Sequence, residues 1–351
     1  MLTRHYTLHF ATPAFLGNAE QSGQWRTPPI KALLRQWWRV AYAAGQPGAV
    51  NVSTMREVEG RLFGTASDNG GSSSKSLVRI RLSHWRTGQL TDWQGQDRQR
   101  VTHPEVKSPV GAQLYLGYGP LTFANGQTAL KANAALQANL EKASLQLAFP
   151  NGVEADRLTQ ALWLMQHYGT LGGRSRNGWG SLVLTPADAQ TPAFDAALNP
   201  EVCMPWRDAL GTDWPSAIGS DDQGPLIWQT APLADWPAVM RKLAEIKIGL
   251  RTQFKFPQER PPHPQPLDRH WLSYPITNHT TSAWSREARL PNSLRFKVRE
   301  TPSGQLRGVI MHLPCRPPPG FKPDLRAIES VWLQVHQYLD GQAPALQRTA
   351  A

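Results

Sequence analysis

The sequence predicts an α+β protein built from two passes of one element order, strand–helix–strand–strand–helix–strand, with insertions. Three observations predict it. Short stretches alternate apolar and polar residues with a period of two. Four longer stretches carry apolar residues at helical spacing. The two kinds follow one another in nearly the same order on either side of an interval rich in Pro, Asp, Ala and Gly, residues 186–225. That order is the one found in a ferredoxin-like unit.

The first pass opens with "HYTLHFATP", where Tyr6, Leu8 and Phe10 alternate with Thr7 and His9 up to Pro13, a strand. A helix follows in "TPPIKALLRQWWRVAYAAG": Thr27 suits the N-cap, Pro28 the first turn, and Gly45 a left-handed stop. "SLVRIRLSHW" reads as a strand, Val78, Ile80 and Leu82 on one face, Leu77, Arg79 and Arg81 on the other. "GAQLYLGYG" and "KASLQLAFP" read as strands, "NGVEADRLTQALWLMQHYG" as a helix and "GWGSLVLTP" as the closing strand. The second pass gives "GPLIWQT" (strand), "WPAVMRKLAEIKIGL" (helix), "HWLSYPIT" (strand), a hairpin from "LPNSLRFKVRE" and "GQLRGVIMHL", and the helix "DLRAIESVWLQVHQYL". No clear fourth strand follows. The expected division is residues 1–190 with an insertion at about 85–140, a linker at 191–225, and a second unit at 226–345.

A chain of 351 residues with 40% hydrophobic content buries a core in each unit. Cys203 and Cys315 alone make neither a disulfide framework nor a zinc set. No apolar run approaches the roughly 20 residues that span a bilayer, and "MLTRHYTLHF" lacks a signal-peptide core, so the expectation is a cytoplasmic protein without membrane attachment. The net charge is +11, and residues 240–307 hold 13 cations against 5 anions. Such an excess draws polyanions, although charge by itself also serves solubility.

On the first helix, Ile30, Leu33, Leu34, Trp37, Val40 and Ala41 share the arc that packs. Lys31, Arg35, Trp38, Arg39 and Tyr42 share another. Lys31, Arg35 and Arg39 form one line at i, i+4 and i+8 that can track phosphates, or a solvated helix face. Trp38 either stacks on a base or packs under a loop. Arg79 and Arg81 share a sheet face of the kind that binds RNA in RRM-type sheets, but no aromatic pair accompanies them.

"GTLGGRSRNGWGSL" joins the second helix to the closing strand. Its glycines leave backbone amides open, and Gly172, Gly173, Arg174, Ser175, Arg176 and Asn177 offer two guanidiniums for phosphate oxygens. A P-loop is excluded because Trp179-Gly180 stands where Lys-Ser or Lys-Thr is needed. Two further basic runs, Lys247–Arg251–Lys255 at helical spacing and Arg295–Lys297–Arg299 on a strand, suggest a second basic surface for RNA or for an acidic neighbour.

Taken together, Phe10-x-Thr12-Pro13-x-Phe15-x-Gly17, "PPIKALLRQWWR", "EGRLFG" and "LGGRSRNGWGSL" resemble the RAMP superfamily of CRISPR effector subunits, most nearly the first-numbered subunit of the Cmr, type III-B, complex. The resemblance covers the first 190 residues in order and is looser beyond. It implies two tandem RRM-like, ferredoxin-fold domains in a ribonucleoprotein, and a binding role without catalysis or cofactor. Its implied partners are guide RNA near the 3′ end, target RNA and other Cmr subunits. The RNA-facing residues it implies are Lys31, Arg35, Trp38 and Arg39 on the helix and Gly172 to Asn177 on the loop.

The alternative within the superfamily is a metal-independent endoribonuclease that processes guide RNA. That chemistry needs a general acid, a general base and a cation near the scissile phosphate. The sequence shows histidines but no recognisable pair, no acidic cluster and no H-x-E motif, so neither catalytic residues nor a metal site is assigned.

Overall fold

The computed structural model describes residues 1–44, 46, 50–66 and 73–349; Gly45, expected to end the first helix, lies outside them. The chain runs β1 (Leu2–Phe10), α1 (Thr27–Ala44), α2 (Val52–Phe63) and β2 (Arg79–Leu82). An insertion follows: β3 (Arg100–Val101), β4 (Val110–Gly111), α3 (Ala112–Gly117), and the hairpin β5 (Leu121–Ala124) and β6 (Gln127–Leu130). Then β7 (Ala143–Phe149), α4 (Val153–Tyr168) and β8 (Leu182–Pro186) complete the first sheet. Its order is β2-β7-β1-β8 with all neighbours antiparallel, so the first and third strands of the β-α-β-β-α-β order lie centrally, as in a ferredoxin-like unit.

Alternation decides which face of this sheet packs. Tyr6, Leu8 and Phe10 of β1 and Leu145, Leu147 and Phe149 of β7 are buried with Ile30, Leu33, Leu34 and Trp37 of α1 and Leu158, Leu162 and Met165 of α4. Ser144 and Gln146 of β7 face outward, beside Arg79 and Arg81 of β2.

The second pass continues with β9 (Cys203–Pro205), α5 (Trp206–Ala209), β10 (Ile218–Asp221), β11 (Gly224–Pro225) and β12 (Ile227–Thr230). After these come α6 (Trp236–Thr252), α7 (Asp268–Leu272), β13 (Leu294–Glu300), β14 (Leu306–His312), α8 (Leu325–Asp340) and β15 (Leu346–Arg348). Sheet order β13-β14-β12-β15, again wholly antiparallel, repeats the first arrangement. The protein is therefore an α+β chain with two tandem ferredoxin-like units.

Four readings differ from the sequence expectation. The fourth strand exists: β15 pairs with β12, Trp228 opposite Arg348. "AQLYLG" is the helix α3, not a strand, because the Asp97 carboxylate accepts the amides of Gln113 and Leu114 and so caps it from outside the segment. "HWLSYPIT" holds the end of α7 and only isolated bridges, Tyr274 to Leu290 and Ile276 to His279. Residues 203–225 are not an irregular connection, since β9, β10 and β11 form a small sheet and Val202, Trp206, Leu210 and Ile218 are buried.

The insertion packs inward. Trp93 and Leu116 share a core with Trp179 of the glycine-rich segment and with Val239, Met240 and Leu243 of α6. The indoles of Trp93, Trp179 and Trp236 meet edge to face, with centroids 5.6 to 6.5 Å apart, the geometry aromatic quadrupoles favour. This cluster sets the glycine-rich segment against α6.

Candidate nucleic-acid interface

The segment 169–181 is closed at its base by the bridge Thr170 to Ser181 and pinned to the chain after β1, with Gly173 N–H donating to Phe15 O and Gly180 N–H to Pro13 O. Two glycines are required here. A Cβ on Gly180 would lie 1.9 Å from Leu171 O, and one on Gly172 would lie 2.6 Å from Phe15 O; both have positive φ. The amides of Ser175, Asn177 and Gly178 donate to Gly172, Arg174 and Ser175 carbonyls. The expected cradle of open amides is thus corrected: most of these N–H groups are spent holding the turn, and the turn presents side chains instead.

Arg174 and Arg176 project from that turn, each with part of its side chain in solvent and part on a cavity wall. Arg174 has φ +55°, a left-handed backbone, and its Nε donates to Tyr118 O. Asn177 is a clasp: its Nδ2 donates to Leu116 O at 2.7 Å and its Oδ1 accepts from Lys247 Nζ on α6. Phe296 N–H donates to Arg176 O, fixing the turn to β13 as well.

Between this turn, α6 and the chain after α7 lies a cleft of about 360 Å³, lined by Arg174, Arg176, Lys247 and Arg251 with Ser175 and Asn292. It continues into a lobe of about 480 Å³ lined by Tyr118, Phe256, His103, His279 and the pair Arg269–Glu105. Arg269 Nη1 and Glu105 Oε1 are 2.6 Å apart, which neutralises both. No carboxylate lines the first part of the cleft. Burial, then Arg251 and Arg174, push the Lys247 pKa well down; burial also pushes Arg174, Arg176 and Arg251 down. Crowded cations without counter-charges are the condition an anionic ligand relieves.

The helix face is corrected. Trp38 is 0% exposed; it packs on Tyr42 and Phe63, and its Nε1 donates to Glu154 at 3.0 Å, so it cannot stack on a base. Arg35 and Arg39 both clasp Glu59 of α2, Arg35 Nη2 to Oε2 at 2.9 Å and Arg39 Nη2 to Oε2 at 3.0 Å. Burial would raise the Glu59 carboxyl, but the two guanidiniums outweigh it and hold it below the usual range. Lys31 is half-buried with its pKa lowered by burial and Arg35. The two arginines of the line bind a neighbouring helix, and their partner carboxylate sits in "EGRLFG".

Arg79 and Arg81 are exposed on β2, one edge of the sheet, whereas the glycine-rich turn leads into β8, the other edge. Three strand spacings separate them, about 14 Å, so the structure does not bring them to the cleft. The expected second basic surface also divides. Lys247 and Arg251 line the cleft, while Lys297 is 0% exposed and donates to the carbonyls of Met165, Gln166 and Leu182. Tyr118, Phe256 and Arg269 were not legible as site residues, and His279, nine residues after His270 in "RHWLSYPITNH", reads from sequence only as a metal ligand lacking a third partner.

The RAMP superfamily model matches residues 7–183, just over half of the chain. No curated protein matches. Among solved structures, the apo crystal structure of Cmr1 from Pyrococcus furiosus aligns with 14% identity and a TM-score of 0.48, covering 99% of this chain and 98% of that one. A cryo-EM structure of the type III-B Cmr-beta complex bound to cognate target RNA contributes a chain at 11% identity and TM-score 0.48, covering 95% and 99%. A type IV-B CRISPR complex aligns at 12% identity and TM-score 0.33, covering 56% and 96%. The family match and the motifs it spans establish that this chain belongs to the RAMP superfamily.

Proposed function

We propose that the protein is a non-catalytic RNA-binding subunit of a type III-B CRISPR Cmr ribonucleoprotein. It holds guide RNA near its 3′ end in the cleft between the two ferredoxin-like units and helps to engage target RNA. The observation that carries this reading is the convergence of Arg174, Arg176, Lys247 and Arg251 on the first part of the cleft, which no carboxylate lines. Phosphates entering it replace a shell of counterions, which makes binding strong and salt-dependent. Tyr118, 63% exposed at the rim, offers a ring to an unstacked base. Other Cmr subunits are the expected protein partners, and the chain would act in the cytoplasm.

One observation favours a second reading. His103 and His279 line the same lobe as Arg251 and Lys247, and burial lowers both imidazole pKa values, leaving neutral bases beside cations. That is the composition of a metal-independent ribonuclease site. Incubation with labelled repeat RNA in EDTA separates the readings. Salt-sensitive binding without cleavage supports the subunit. Cleavage that His279→Ala or His103→Ala abolishes supports the nuclease.

A further inference from the structure

A second, smaller cavity lies beside the cleft. It measures about 140 Å³ and is lined by Trp37 and Arg39 of α1, Arg176 of the glycine-rich turn, Trp214 before β10 and Arg295 of β13. Arg176 lines the cleft as well, so the two spaces share a wall. The functional groups here are almost all donors: three guanidiniums and two indole N–H groups. Gln36 supplies the one lining side chain that can accept, and no carboxylate lines the space.

Three of those donors are buried and unpartnered: Trp37 Nε1, Trp214 Nε1 and Arg295 Nε. Trp37 is 1% exposed. Buried polar groups are normally paired, so three orphan donors around one small space require an explanation. Among the described residues, neither Arg176 nor Arg295 forms an ion pair. Arg39 has its Nε and Nη2 committed to Glu59, leaving Nη1. Burial and the neighbouring Arg176 push the Arg295 pKa down to about 10, which still leaves it charged at neutral pH.

We propose that this cavity is a binding site for one phosphate group. A phosphate presents acceptor oxygens in several directions and two negative charges, which matches a wall of N–H donors around guanidiniums. The volume excludes a nucleoside, whose sites run to about 300 Å³ and above. It also excludes an internal phosphodiester, which must bring a ribose on each side. Two sources fit the chemistry: inorganic phosphate, or the terminal phosphomonoester of an RNA strand lying in the adjoining cleft. The second source rests on the RNA-binding function proposed above; the anion site itself does not.

The test uses the full chain at fixed ionic strength. Inorganic phosphate is titrated by calorimetry against chloride as control, and RNA decamers ending in 3′-hydroxyl, 3′-phosphate or 5′-phosphate are compared by anisotropy. Saturable phosphate binding is expected, weakened about tenfold or more by Trp214→Phe, which keeps the ring's bulk but removes the N–H. If RNA is the source, one phosphorylated end tightens binding about tenfold or more, and inorganic phosphate competes away that increment only. If free phosphate is the source, the ends bind alike and phosphate still titrates. Absence of both saturable phosphate binding and end preference overturns the proposal, even where the hydroxyl-ended decamer binds. Loss of decamer binding with phosphate binding intact overturns the RNA reading and leaves this site standing.

Discussion

Lys297, in the middle of β13, sets its Nζ 2.8 Å from the carbonyl oxygen of Leu182, across the seam between the two ferredoxin-like units. The same nitrogen donates to Gln166 O in the last turn of α4 and lies 3.4 Å from Met165 O, which also accepts the Gly169 N–H. One lysine thus caps a helix and fixes the second unit against the first, which sets the width of the cleft between them.

Substituting this lysine isolates that role. Lys297→Met keeps most of the volume but strands buried acceptors, so unfolding free energy should fall by about 2–4 kcal/mol. Urea denaturation measures it. A change within about 0.5 kcal/mol would mean that Lys297 is not part of the seam's support.

The α1–α2 clasp should matter for stability and not for RNA. Glu59→Ala is expected to cost about 1–3 kcal/mol, since the carboxylate is buried while both arginines are partly exposed and can hydrate. Binding of single-stranded RNA at a temperature where the variant is folded should stay within about twofold of the parent. A several-fold change in affinity at constant fold would restore the helix face as an RNA contact.

Acid should weaken the fold through the pair His312–His336. His336 Nε2 and His312 Nδ1 are 2.9 Å apart, both rings buried and His312 stacked on Trp332, and Ser293 Oγ is 2.9 Å from His312 Nε2. Burial pushes both imidazole pKa values down, so both rings stay neutral in the fold. The unfolded chain protonates them near pH 6.5. Between the folded and unfolded values the unfolded state binds more protons, so stability rises with pH up to about 6.5 and falls on acidification below it. At pH 5 the loss approaches about 2 kcal/mol per ring. Denaturation midpoints at pH 5, 6 and 7.5 check this. A midpoint that does not move between pH 7.5 and 5 would contradict it.

Strand and helix periodicity made the first β-α-β-β-α-β pass and most elements of the second legible, because one face of each element is buried and the period shows in its residues. Ile30, Leu33, Leu34, Trp37, Val40 and Ala41 were readable on α1 for that reason. What escaped was decided by distant partners. Asp97 makes α3 a helix, β12 makes β15 a strand, and Glu59 neutralises Arg35 and Arg39 from another helix. The glycine-rich turn was legible as a basic loop. That its amides are spent, and that its counterpart is Lys247 and Arg251, depends on the docking of Trp179 against α6.

On the proposed function, the cations that converge on the cleft hold the RNA backbone. The most direct measurement of this is the slope of log K against log salt for single-stranded RNA, comparing the parent with Arg174→Ala/Arg176→Ala. Each phosphate neutralised on a single strand contributes about −0.7 to that slope. The double variant should therefore bind more weakly with a slope flatter by about 1.4. An unchanged slope and affinity would mean that RNA is not held at this cleft and that the turn is a structural element alone.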